Sequence, residues 1–202
     1  MKKIFMSLVA MFCAVSSFAQ YSSGGFSLSE STMYYGIRLG LNVANISGDN
    51  VDGWDAKTGF NFGGVVGLRL SDTTPVFIES GLYYTERGAK KNKAKVGLTY
   101  LEVPILIKYG VQVSDDIALL PYIGPAFGLG IAGKYKVPGV INESSFKHLC
   151  NRADVGIKLG CGAEWNKLYL EAGYQFGMAN ILDDEDDTAH GNAFFINIGV
   201  NF

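Results

Sequence analysis

Apolar and polar residues alternate one by one through much of this chain, and the final segment is the clearest case. Large apolar side chains occupy every second position up to the last residue: Phe194, Ile196, Ile198, Val200 and Phe202. Because successive side chains of a strand point to opposite faces, this period of two predicts a strand with a different solvent on each face. A terminal aromatic on such a strand is typical of outer-membrane barrels, where aromatic residues lie at the membrane interface.

Eight segments carry this pattern, and their lengths favour strands that cross a membrane. The predicted strands are residues 34–44, 59–70, 75–87, 98–110, 117–133, 152–164, 167–179 and 192–202. Strands of globular proteins have about five or six residues, whereas a tilted strand needs about 9–11 to cross a bilayer. The predicted strands have the length that the second case requires.

The connections between the predicted strands differ in length in a regular order. Long polar connections span residues 45–58, 88–97, 134–151 and 180–191, and short ones span 71–74, 111–116 and 165–166. Outer-membrane barrels have short periplasmic turns and longer extracellular loops. The sequence therefore predicts an all-β fold, namely an eight-stranded antiparallel up-and-down transmembrane β-barrel with both termini periplasmic. Its last strand is expected to pair with residues 34–44 and close the barrel.

Periodicity alone does not say which face points inward, because a soluble lipocalin-like barrel alternates as well. Two features favour apolar faces that point outward. Glycine is concentrated on the polar faces, where it weakens a solvated sheet but makes room inside a narrow barrel. Aromatic residues of the apolar faces collect near the strand ends, as they do at the two interfaces of a membrane.

The polar faces also carry charges of both signs in equal number. These ten residues are Arg38, Arg69, Glu79, Arg87, Glu102, Lys108, Asp154, Lys158, Glu164 and Glu171. Buried charges persist when they are paired, and an eight-stranded barrel is just wide enough inside for side chains to fill it. We therefore expect a lumen that is plugged by an ion-pair network with a structural role.

The N-terminus indicates export. A basic start at Lys2 and Lys3, a short apolar run over 4–15 and a Ser17-Phe18-Ala19 site predict a signal peptide over 1–19. Residues 20–33 are then a periplasmic extension, and residues 34–202 are the outer-membrane barrel domain. Cleavage would leave 15 basic and 19 acidic residues, a formal charge of −4. This balance predicts no nucleic-acid partner, which would require a basic face.

The segment Tyr-Leu-Glu-Val-Pro-Ile-Leu-Ile-Lys-Tyr at 100–109 resembles a strand motif of the PorT-like family of small outer-membrane barrels. Residues 36–42 and 79–84 and the terminal Phe extend the resemblance over the mature chain. The resemblance implies an eight-stranded barrel in the outer membrane. It also implies that Phe202 belongs to a signal read by the barrel-assembly machinery. Pro104 in mid-strand predicts a bulge, which the family shares.

Two predicted loops carry runs of charge. Lys90, Lys91, Lys93 and Lys95 form a cationic run that could bind lipopolysaccharide phosphates, and residues 183–187 are all acidic. The acidic run could hold Ca²⁺ or contact the lysines, although it lacks the spaced ligands of a calcium loop. The simpler reading of both runs is solvated loop charge.

No catalytic, cofactor or metal site is predicted. The two histidines, His148 and His190, fall in predicted loops without the spacing of a catalytic triad or a metal site. The leading hypothesis is a monomeric, non-enzymatic barrel that is surrounded by outer-membrane lipid and lipopolysaccharide and presents its loops outside. A lipid-modifying enzyme, a small pore and a secretion-associated barrel are the alternatives.

Overall fold

The computed structural model describes residues 33–48, 55–71, 73–91, 94–114, 116–136, 152–180 and 189–202, which form one antiparallel sheet. Its strands are β1 (Met33–Gly48), β2 (Asp55–Arg69), β3 (Val76–Lys91), β4 (Ala94–Tyr109), β5 (Val111–Ser114), β6 (Ile117–Lys136), β7 (Ala153–Trp165), β8 (Leu168–Gly177) and β9 (Ala189–Asn201). The short β5 pairs with the start of β6 inside the connection from β4. The wall of the barrel therefore has eight long strands. No helix within the described ranges is long and apolar enough to cross a membrane.

The sheet closes on itself at two seams. β1 pairs antiparallel with β9, so that Leu39 lies opposite Ile198. β4 pairs antiparallel with β6, so that Leu101 lies opposite Leu129. The predicted eight-stranded antiparallel barrel, closed by its last strand, is confirmed. We call the end with the β2–β3, β4–β6 and β7–β8 connections the short-turn end and the opposite end the long-loop end.

The apolar faces of the strands point outward. Leu41 is 58% exposed and Ile198 is 56% exposed, whereas their inward neighbours Asn42 and Asn197 are 3% and 2% exposed. This arrangement is the reverse of a soluble barrel, which buries its apolar face. An apolar outer wall with polar residues inside is the arrangement that lipid stabilises.

Two layers of large side chains cross the interior. Near the short-turn end, Tyr34, Phe77, Leu120 and Tyr169 pack together, and Tyr122 and Phe195 pack with Leu106 further along. Glycines of the wall make room for these rings: a Cβ at Gly67 would overlap the ring of Tyr34, and one at Gly162 would overlap that of Tyr169.

The predicted loop over 88–97 is wrong. β3 continues to Lys91 and β4 begins at Ala94, and Gly88 lies opposite Gly97 within an extended hairpin. The glycines and lysines of this segment indicated a loop, but the backbone hydrogen bonds of a hairpin do not depend on side-chain polarity. β6 likewise continues to Lys136, beyond its predicted end at 133.

The bulge predicted at Pro104 is also wrong. Ser80 lies opposite Ile105 and Tyr83 lies opposite Glu102, so the β3–β4 register is the same on both sides of Pro104. The proline interrupts the ladder because it has no N–H, and the hydroxyl of Ser80 donates to its carbonyl oxygen over 2.8 Å.

The register shift of this region lies elsewhere on the same strand. Thr99 of β4 lies opposite Ala132 of β6, and Tyr100 lies opposite Gly130. Ile131 is therefore an extra residue on β6, which is the geometry of a β-bulge.

Candidate functional site

Charged side chains fill the interior between and around the apolar layers. Nine of the ten predicted lumen residues are buried, and Arg69 is half-buried. They form two groups. The short-turn cluster is Arg38, Glu79, Lys108, Glu164 and Glu171. The long-loop cluster is Arg87, Glu102, Asp154 and Lys158.

Glu79 is the centre of the short-turn cluster. Its Oε1 lies 2.8 Å from Lys108 Nζ, and its Oε2 lies 3.7 Å from Arg38 Nη2. The hydroxyl of Tyr34 also donates to Oε2 over 2.7 Å. Two cations and a hydroxyl thus converge on one carboxylate that is 1% exposed. A charge buried to this extent requires such partners, because it has lost its hydration.

The other two carboxylates of this cluster accept hydrogen bonds from neutral groups. Asn201 Nδ2 donates to Glu164 over 2.8 Å, and Asn197 Nδ2 donates to Glu171 over 2.6 Å. Tyr169 links Glu171 to the cations, because its hydroxyl accepts from Lys108 Nζ at 2.8 Å and donates to Glu171 at 3.3 Å. The cluster is a continuous network rather than a set of isolated pairs.

The long-loop cluster contains two cations and two carboxylates. Arg87 pairs with Asp154 over 2.6 Å and, through its other terminal nitrogen, with Glu102. Glu102 also pairs with Lys158. Gln175 accepts a further hydrogen bond from Arg87 over 2.7 Å. The formal charges of this cluster cancel.

Aromatic rings separate the two clusters. Lys108 Nζ lies 5.1 Å from the centre of the Tyr122 ring on one side, and Lys158 Nζ lies 5.0 Å from the centre of the Phe195 ring on the other. Both distances fall within the range of cation–π attraction. The rings therefore fill the middle of the lumen and also stabilise the cations above and below them.

Little free space remains in the described part of the lumen. One cavity of about 20 Å³ lies beside Arg87, Tyr100 and Asp154, and another of about 10 Å³ lies beside Asn61 and Gln175. A water molecule needs about 10–15 Å³, so these spaces match one water each.

Arg69, the tenth predicted residue, lies outside both clusters. Its Nε donates to the Ser71 carbonyl oxygen over 2.7 Å, and its guanidinium carbon lies 5.9 Å from the centre of the Phe77 ring. It lies at the end of β2, where the strand leaves the wall, and it orders the short turn.

Sequence reasoning missed the neutral members of the network. These are Tyr34, Tyr169, Gln175, Asn197 and Asn201, which donate to or accept from the charged residues. They occupy the same inward face as the charges on their strands, so the alternation contained the signal that would have identified them.

The loop candidates are only partly described. Lys90 is exposed, and His190 Nδ1 lies 3.2 Å from the Ala179 carbonyl oxygen, a hydrogen-bond contact that ties the start of β9 to the end of the β8 region. Residues 183–187, His148 and Lys93 lie outside the described residues. Within the described residues, no group of three or more His, Cys, Asp or Glu is placed to hold a metal ion.

The fold and its filled lumen agree with what sequence comparison finds. Residues 18–183 match the family described as outer membrane protein beta-barrel domain, which is more than half of the 202-residue chain. The chain belongs to this family. It is therefore an integral outer-membrane protein. The match is to the broad barrel family, so the narrower PorT-like resemblance stays a prediction. No curated protein matches the chain.

Solved structures of small barrels resemble the chain over most of its length. Neisserial surface protein A is 15% identical, with 85% of this chain and 98% of that chain covered and a TM-score of 0.53. Ail, the attachment invasion locus protein of Yersinia pestis, is 16% identical, with 85% and 100% covered and a TM-score of 0.48. At these identities the likeness concerns the fold alone.

Proposed function

We propose that this protein is a monomeric, non-enzymatic outer-membrane barrel whose lumen is plugged by its own side chains and which acts through its long-loop end. Its termini and short turns are periplasmic, and its long loops are extracellular. The observation that carries the proposal is the joined set of buried ion pairs and aromatic rings that crosses the interior. A barrel filled in this way is a stable stalk for surface groups.

The filled lumen argues against the pore alternative. The ion pairs of Arg87 with Asp154 and of Lys108 with Glu79 lie across the path that an ion would take. The cavities beside them have room for about one water each. Conduction would require these pairs and the Tyr122 and Phe195 rings to separate.

Conductance in planar bilayers tests the plug. The purified wild-type protein should show no steady conductance. A variant with Tyr122→Ala, Lys158→Ala and Phe195→Ala should conduct, because it removes the aromatic layer and one cation while the wall stays intact. Steady ion conductance by the wild type would refute the plug, and a heat-modifiable shift in gel mobility would show that both proteins are folded.

The lipid-modifying alternative rests on the histidines. His190 already contacts a backbone carbonyl oxygen, which is a structural use of its ring. We expect the lipid A mass spectrum of a deletion strain to equal that of the parent strain. A mass change that wild-type protein restores and His190→Ala does not would establish catalysis and reject this part of the proposal.

The orientation has a direct test. An epitope inserted between residues 92 and 93, in the β3–β4 hairpin, should bind antibody on intact cells. An epitope inserted after Asn166, in the β7–β8 turn, should bind antibody only after the outer membrane is permeabilised. The reverse result would place the termini outside.

Assembly is proposed to use the C-terminal residue. Phe202 is 63% exposed, and its backbone is fixed against β1 because its N–H donates to the Tyr35 carbonyl oxygen over 2.7 Å. The ring is thus presented on the outer wall at the seam that closes the barrel. This position is consistent with a residue that the barrel-assembly machinery reads and that afterwards lies at the periplasmic membrane interface.

A further inference from the structure

Lysines of three neighbouring strands meet in one row at the long-loop end. Lys90 of β3 lies opposite Lys95 of β4, and Lys95 lies opposite Lys136 of β6. Residues that lie directly opposite each other in an antiparallel sheet share a face. Lys90 is exposed and belongs to the outward face of β3, so the register places all three lysines on the outer surface of the barrel.

The bulge at Ile131 produces this row. Below it, Gly130 lies opposite the buried Tyr100 and is itself buried, so even-numbered residues of β6 belong to the inward face. One extra residue reverses that parity, and Lys134 lies opposite Gly97 on the outward face, one step below Lys136. Four lysines therefore share one outward patch, which we call the lysine patch: Lys90, Lys95, Lys134 and Lys136.

Such a patch is unfavourable without a counter-charge. Like charges directly opposite each other in a sheet destabilise it. One carboxylate borders the row, because Asp55 of β2 lies opposite Lys90. Glu86 lies four residues below Lys90, where the Tyr84 hydroxyl donates to it over 3.2 Å. The patch thus keeps a cationic excess that an external anion would neutralise.

The height of the patch identifies the anion. Ile131 is 44% exposed and is the last strongly exposed apolar residue along β6. At about 3.3 Å per residue and a tilt of about 40°, Lys134 lies roughly 8 Å and Lys136 roughly 13 Å further out. The polar layer of one phospholipid leaflet is only about 5–8 Å thick. The row therefore extends beyond phospholipid headgroups and matches a lipid whose phosphates are carried on a taller saccharide headgroup.

We propose that the lysine patch binds phosphate groups of lipopolysaccharide and anchors the barrel in the outer leaflet. This inference deepens the proposed function, because it rests on an extracellular long-loop end. It assigns a ligand class to the outer rim of β3, β4 and β6. In this view the extended hairpin over 88–97 serves to raise the lysines to the level of the saccharide phosphates.

The test measures binding of purified, detergent-solubilised protein to micelles that contain lipopolysaccharide. The patch variant carries Lys90→Gln, Lys95→Gln and Lys136→Gln. The control variant carries Asn166→Asp and Lys167→Glu in the β7–β8 turn, which changes the net charge by the same three units at the opposite end. A heat-modifiable gel shift verifies that each protein is folded.

We expect each lysine to contribute about fivefold in affinity, so the patch variant should bind about a hundredfold more weakly than wild type while the control keeps its affinity. Dephosphorylated lipopolysaccharide and phosphatidylglycerol should bind wild type weakly. Equal binding by the patch and control variants would overturn the proposal. Equal binding of dephosphorylated lipopolysaccharide or of phosphatidylglycerol would overturn the ligand assignment. Because detergent binding does not depend on orientation in a cell, this test can fail while the epitope test succeeds, and the reverse.

Discussion

Replacement of Glu79 by Gln should destabilise the barrel far more than an ordinary loss of one surface charge. Glu79 accepts from Lys108 and Tyr34 and faces Arg38, all inside the lumen. Gln has nearly the same shape, so packing is conserved. Its amide NH₂ group, however, is a donor, and it would face groups that are themselves donors. The substitution leaves two buried cations without their shared carboxylate.

The expected cost follows from burial. Arg38 and Lys108 are both 0% exposed, so neither can recover hydration when its partner loses charge. Removal of one partner of a buried ion pair costs about 3–5 kcal/mol. With a urea dependence of roughly 2 kcal/mol per molar, this loss lowers the unfolding midpoint by roughly 2 M.

Urea unfolding in lipid vesicles, followed by the heat-modifiable gel shift, measures this loss. Glu86→Gln is the matched control, because Glu86 is on the outward face and accepts one hydrogen bond, from Tyr84. Its free energy of unfolding should change by less than about 0.5 kcal/mol. Addition of Lys108→Met to Glu79→Gln should restore part of the loss, since one of the two uncompensated cations is then removed. Equal midpoints for Glu79→Gln and Glu86→Gln would show that the ion pairs do not hold the lumen together.

Three further predictions concern the wall and its seam. Deletion of Phe202 should reduce the folded protein recovered from outer membranes, and recovery at wild-type levels would refute its role in assembly. Gly162→Val should lower the free energy of unfolding by about 1–3 kcal/mol, because its side chain would overlap the Tyr169 ring, and an unchanged urea midpoint would contradict that packing. Ile198→Arg should cost about 2–4 kcal/mol in vesicles, whereas Val113→Arg in β5 should cost little; equal costs would argue against a lipid-facing Ile198.

The sequence predicted the faces of the strands well because the alternation is a local property of the backbone. Lys108 and Asn197 belong to inward faces for the same reason that Ile107 and Ile198 belong to outward ones: successive side chains of a strand point to opposite faces. Strand length and the alternation of loop lengths added the membrane and the strand count. The fold therefore required no knowledge of which residues contact each other.

The partners inside the lumen could not be predicted in the same way. Alternation says which residues face inward, but it does not give their height along the barrel axis. Height depends on the stagger between neighbouring strands, which is a property of the closed barrel. The assignment of Glu102 to Arg87 and Lys158, rather than to a cation of the other cluster, follows only from the register.

The bulge at Ile131 connects the filled lumen with the charged rim. Without the extra residue, Lys134 and Lys136 would belong to the inward face of β6, on the long-loop side of Arg87 and Lys158. The long-loop cluster is balanced, with two cations and two carboxylates, and further buried lysines would leave it with uncompensated positive charge. The bulge therefore serves two purposes, because it preserves the charge balance that allows the lumen to stay closed and it moves the same lysines to the outer surface. Deletion of Ile131 should accordingly weaken both the stability of the barrel and its affinity for lipopolysaccharide, whereas Lys134→Gln with Lys136→Gln should weaken the affinity alone. A deletion that lowers affinity while the urea midpoint stays unchanged would show that the bulge matters for the rim but not for the lumen.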